Sequence, residues 1–219
     1  MKQAILIAIV CASVPANAEK PNIIYILADD MGYGDVSYCN PESKIPTPNI
    51  DRLGREGLRF TDAHTNSSVC TPTRYGILTG RYCWRTYKKS GVLHGHSDLL
   101  IALDRETVPS FLKKQGYATA CIGKWHLGFQ KPFLPHNQGF DHYFGLLHNL
   151  DPVEIVYFKD KGGVPLLRNG KVVKRPPDPA ELTKLYTDEA IGFIEKNKKG
   201  PFFLYLPHTM LHNPLGVSE

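Results

Sequence analysis

Pro21-Asn22-Ile23-Ile24-Tyr25-Ile26-Leu27-Ala28-Asp29-Asp30 is a short apolar and β-branched run that stops abruptly at two carboxylates. A run without polar alternation reads as a strand buried on both faces, as in the centre of a parallel sheet. The carboxyl end of such a strand is where open α/β sheets place ligands. Two adjacent carboxylates there are costly unless a cation or hydrogen bonds compensate them. Asp29 and Asp30 therefore read either as hard oxygen ligands for Ca²⁺ or Mg²⁺ or as an Asx turn or helix cap. Asp35 reads as a cap for its own loop.

Two further runs repeat the theme. Tyr117-Ala118-Thr119-Ala120-Cys121-Ile122 ends in Gly123-Lys124-Trp125-His126, and Phe202-Phe203-Leu204-Tyr205-Leu206 ends in Pro207-His208 and then His212-Asn213-Pro214. Helical patterns separate them. A cap at Thr47 or Asn49 opens a helix through about Glu56, Thr107 caps another to Gln115, and Pro179 to Lys198 is amphipathic until Gly200-Pro201 stops it. Leu58 to Ala63 reads as a second strand, and Asn169-Gly170 as a hairpin turn in a charged surface excursion. Strands alternating with helices predict a three-layer α/β/α domain around a mostly parallel sheet.

The reactive stretch is Ser68-Val69-Cys70-Thr71-Pro72-Thr73-Arg74-Tyr75-Gly76-Ile77-Leu78-Thr79-Gly80. Pro72 and Thr73 open an apolar run, which places Cys70 just outside a helix N-terminus. Unpaired backbone N–H groups and the helix dipole favour an oxyanion there, and the same field lowers a thiol's pKa. Arg74, about one turn in, returns a planar fork of donors to the same mouth. Lys124 and His126 stand two positions apart on one side of an extended segment, so both can face a bound anion. His94 and His96, in a polar loop, have metal-like spacing but read more simply as solvent-facing or hydrogen-bonded residues.

Cys70-Thr71-Pro72-Thr73-Arg74 followed by Ile77 to Gly80 resembles the signature of the type I sulfatases, and Gly116 to His126 resembles their second signature. The resemblance implies an alkaline phosphatase-like fold and hydrolysis of sulfate esters. It implies that Cys70 is oxidised to formylglycine, held as an aldehyde hydrate, by a formylglycine-generating or sulfatase-maturating enzyme. One hydroxyl of the hydrate would attack sulfur and expel the alcohol; the second would collapse the sulfated intermediate to the aldehyde. It also implies a divalent ion, Ca²⁺ or else Mg²⁺, on Asp29, Asp30 and modified Cys70. Cys70, Arg74 and His126 would be catalytic, with Lys124, His212 and Asn149 binding substrate. His208 is the second choice to His212, and the Gly139-Phe140-Asp141 turn would be scaffold. Sulfated small molecules or sulfated polysaccharides would be the substrates. Hydrolysis of phosphate or phosphonate esters on the same scaffold, and non-catalytic binding of sulfated glycans, are the competing readings.

Met1-Lys2-Gln3, the apolar run Ala4 to Ala12 and Ala16-Asn17-Ala18 read as a secretory signal over residues 1–18, with a catalytic domain over 19–219. The expected location is periplasmic or extracellular. Ile9-Val10 ahead of Cys11 is a poor lipid-attachment box, and no run is long enough to span a bilayer. Removing residues 1–18 lowers the formal net charge from +5 to +4. That mild excess suits an anionic substrate, but it lacks the dense clusters that nucleic-acid binding needs. Of the remaining Cys39, Cys70, Cys83 and Cys121, three are left if Cys70 is modified, which allows one disulfide of undetermined pairing.

The sulfatases that this sequence resembles continue well past Glu219. The expectation is an N-terminal portion, with the sheet incomplete at its C-terminal side and further metal ligands lying beyond. Two carboxylates fall short of the roughly six to eight oxygens that Ca²⁺ takes, so weak metal binding and slow or absent turnover by this chain alone are expected.

Overall fold

The computed structural model describes residues 19–95, 97–150 and 158–217. The signal expected over residues 1–18, and His96 with them, lie outside the described residues. Among the described residues six strands form one sheet: β1 (Ile23–Leu27), β2 (Ala118–Ile122), β3 (His142–Gly145), β4 (Leu166–Arg168), β5 (Lys171–Lys174) and β6 (Phe202–Pro207). Their order is β1-β6-β2-β3-β4-β5, with β1, β6, β2 and β3 parallel and the β4–β5 hairpin antiparallel at one edge. Asn169-Gly170 makes the hairpin turn, both residues taking positive φ.

Helices cover both faces. α2 (Cys70–Thr79) and α3 (Val108–Lys114) lie on one, and α4 (Pro179–Asn197) on the other; α1 (Pro48–Glu56) precedes them. The alternation along β6 shows why three layers form: Phe203 and Tyr205 pack with Tyr75 and Leu78 of α2, while Phe202, Leu204 and Leu206 pack with Leu182, Tyr186 and Phe193 of α4. Burying each such side chain contributes about 1.5–3 kcal/mol. Thr107 caps α3 through the Ser110 N–H, and Asp178 caps α4 through the Ala180 N–H.

Three expectations need correction. β1 is an edge strand, and Ile24, Tyr25 and Ile26 are exposed rather than buried on both faces. Leu58 to Ala63 forms no strand; Leu58 and Phe60 face solvent, and this segment finds no neighbour to pair with in the sheet order. α2 begins at Cys70 itself, with Val69 in extended conformation as its cap, so Cys70 lies in the first turn. The four described cysteines are unpaired.

Candidate active site

Asp29 follows β1 and is held by the chain beyond β6: its N–H donates to the Met210 carbonyl (3.1 Å), and its own carbonyl accepts from the Leu211 N–H (2.7 Å). Its side chain is only 4 % exposed, so its charge must be met inside the protein. Two cations meet it. Arg74 reaches back from α2 to place Nη2 3.2 Å from one carboxylate oxygen, and Lys124 Nζ, beyond β2, pairs with the other. Arg74 Nη1 also donates to the Lys124 carbonyl (2.5 Å). Arg74 and Lys124 are both fully buried, which makes the trio one interlocked unit of three strand and helix ends.

Gly123 makes that closeness feasible. Its φ is +126, and a Cβ there would lie 2.0 Å from the Pro207 carbonyl oxygen. Without one, the Lys124 N–H donates to that oxygen at 2.7 Å and ties the ends of β2 and β6 together.

The two cations differ. Burial and then the Arg74 guanidinium lower the Lys124 pKa, with Asp29 opposing. Burial also works against the charge on Arg74, but Tyr205, Asp29 and Cys70 outweigh it and the pKa is raised. Arg74 is thus the fixed charge and Lys124 the more easily neutralised one. Cys70 stands one helical turn before Arg74 in the first turn of α2, whose cap Val69 makes no side-chain hydrogen bond to it.

His126 parts company with Lys124. It takes the left-handed φ of +58, is fully buried, and turns Nε2 to the Leu93 carbonyl at 3.2 Å. Burial first, then His148, Lys124 and Arg74, hold its pKa well below 6.5, so it is a neutral imidazole at neutral pH. Asp30, also left-handed at φ +62, points outward. His212 lies 3.8 Å from Asp30 Oδ2 and 3.4 Å from Asn149 Nδ2. His208 packs instead near the Tyr186 ring of α4, away from this group. Backbone held at positive φ in two non-glycine residues is strain of the kind found at functional sites. Thr71, Leu93 and His148 were not singled out by sequence; the His148-Asn149 pair at the end of an apolar run was the available signal.

Among the described residues, no group of three or more His, Cys, Asp or Glu is arranged to hold a metal ion. Asp29 has both oxygens engaged by cations, and Asp30 alone is open. These residues do not make a cage for Ca²⁺ by themselves. No helix among the described residues is long and apolar enough to cross a membrane.

A sheet covered on both faces, with carboxylate, guanidinium and ammonium paired at its strand and helix ends, defines an α/β domain of the alkaline phosphatase-like class. The family model for Sulfatase matches residues 21–218, and the chain belongs to the sulfatase family. It is 34 % identical to N-acetylgalactosamine-6-O-sulfatase of Bacteroides thetaiotaomicron, covering 90 % of this chain and 49 % of that protein. It is 34 % identical to arylsulfatase G of Mus musculus, covering 92 % and 43 %. Among solved structures, that of Ps i-CgsB superimposes with a TM-score of 0.78 at 36 % identity, covering 90 % of this chain and 46 % of that one. The chain spans about half the length of the curated relatives it matches.

Proposed function

We propose that this chain carries the nucleophile and part of the anion site of an exported sulfate-ester hydrolase. The observation that carries the reading is the buried Asp29–Arg74–Lys124 unit, whose Arg74 comes from the helix that begins at Cys70. Cys70, converted to formylglycine by a maturation enzyme, supplies two geminal hydroxyls. One attacks sulfur and the S–O bond to the alcohol breaks; the alcohol leaves with a proton. The sulfated hemiacetal then loses its second hydroxyl proton, its C–O bond to sulfate breaks, and aldehyde and sulfate result. Water restores the hydrate.

Arg74 and Lys124 offset charge on the sulfate oxygens, preorganised by Asp29. His126, neutral, accepts a proton rather than contributing a positive charge. His212 and Asn149 contact the substrate from the open side beside Asp30, where any divalent ion would draw additional oxygen ligands. The name of the Bacteroides relative supports a sulfated saccharide as substrate class, and the basic, apolar start of residues 1–18 supports export.

The test compares the full chain, coexpressed with a maturation enzyme, on an aryl sulfate and the matching aryl phosphate. Sulfate release abolished by Cys70→Ala supports the reading. Faster phosphate release points to the phosphoester alternative. A Cys70 left unmodified by the maturation enzyme, with retained binding to a sulfated glycan, favours the non-catalytic one.

A further inference from the structure

Leu93 lies in the polar loop after α2, yet it is 1 % exposed, and its two backbone groups are both spoken for by the site. Its N–H donates to Thr71 Oγ1 (3.1 Å), and Thr71 donates onward to the His126 carbonyl (3.1 Å). Its carbonyl receives two imidazoles, His126 Nε2 at 3.2 Å and His148 Nε2 at 2.8 Å. The two rings meet edge to face with centroids 4.1 Å apart, and Phe129 stacks on the far side of His148 at 5.0 Å.

A carbonyl oxygen only accepts, and its two lone pairs allow two donors. Both Nε2 atoms must therefore carry hydrogen. With Nε2 protonated and the ring neutral, His126 Nδ1 is a bare lone pair, and this atom is buried with no hydrogen-bond partner. A buried unpaired acceptor is costly, and one at a functional site calls for a donor that arrives with the substrate or the modified nucleophile.

We propose that the Leu93 carbonyl, with the His148 ring packed against His126, locks His126 in its Nε2–H tautomer and presents Nδ1 as the acceptor. His148 is then a positioning residue. An anionic sulfate oxygen has no hydrogen to give this lone pair, so the partner of Nδ1 must be a donor, and the donor that the proposed reaction supplies is a hydroxyl. The identity of that hydroxyl rests on the proposed function; the tautomer does not. The groups facing His126 are His148, the cations Lys124 and Arg74, and the Leu93 backbone, and none of them is a donor for Nδ1 among the described residues.

Imidazole nitrogen NMR on the full chain tests this. His126 is expected as one species, protonated at Nε2 and bare at Nδ1, unchanged as the pH falls through 6.5. A wild-type ring protonated at Nδ1, or one that charges near 6.5, overturns the lock. In His148→Ala, a mixture of tautomers and protonation at higher pH are expected, and an unchanged His126 spectrum overturns the role of His148. His148→Phe, which keeps a ring against His126 and a packed interior, is expected to retain the lock; its loss there overturns the packing account. None of these readouts uses sulfate hydrolysis, so a locked protein whose Cys70 stays unmodified by the maturation enzyme sinks the proposed function alone.

Discussion

Asp29 and Asp30 are neighbours in sequence and opposites in structure. Asp29 is buried between Arg74 and Lys124, whereas the side chain of Asp30 is 62 % exposed, with His212 3.8 Å away among the described residues. One side of the site is thus buried and internally paired, and the other is open. The difference teaches that the closed side must be judged by folding experiments, and the open side by ligand experiments.

The largest expected effect is on the closed side. Arg74→Met leaves Asp29 short of a partner in the interior, and urea unfolding should show a loss of about 3–5 kcal/mol. Asp29→Asn in the same chain should recover part of it. His212→Ala on the open side should cost less than about 1 kcal/mol. Equal losses at Arg74 and His212 would erase the contrast.

Acid should reach the closed side next. His126 and His208 are both held below 6.5, by burial first in each case. The unfolded chain then takes up protons at a pH where the folded chain does not, so stability is fully present above 6.5 and declines as the pH falls through the folded-state values. The slope approaches ~1.4 kcal/mol per pH unit for each histidine. A flat stability profile between neutral pH and pH 5, measured by urea titration, would contradict this; a decline that persists in His208→Gln would assign it to His126.

Calcium should have the smallest effect. Calorimetric titration of the described chain is expected to show no tight, stoichiometric binding, because Asp29 is already paired and Asp30 offers one carboxylate. Tight binding that Asp30→Asn abolishes would show the open side to be a formed metal site.

Much of this was legible in the sequence. The apolar runs located β1, β2 and β6, the cap Thr107 located α3, the amphipathic run from Pro179 located α4, and the motifs placed Asp29, Cys70, Arg74 and Lys124 at element ends. What local pattern does not encode is order in the sheet. β1 and β2 look alike as runs, yet β2 is central and buried from Thr119 to Ile122 while β1 is at the edge, because neighbour choice depends on chain far away in sequence. The same limit hid Leu93 and His148: a backbone carbonyl acting on a histidine 33 positions distant leaves no composition signal. Nor did the two-residue spacing of Lys124 and His126 foretell their divergence, since the left-handed backbone at His126 breaks the extended geometry that the spacing assumes.

The most direct test is the mass of the peptide spanning Cys70, from chain coexpressed with a formylglycine-generating or sulfatase-maturating enzyme. The account predicts that Cys70 has lost its thiol and carries an aldehyde that reacts with a hydrazide. An intact cysteine under conditions that convert a known sulfatase would contradict it.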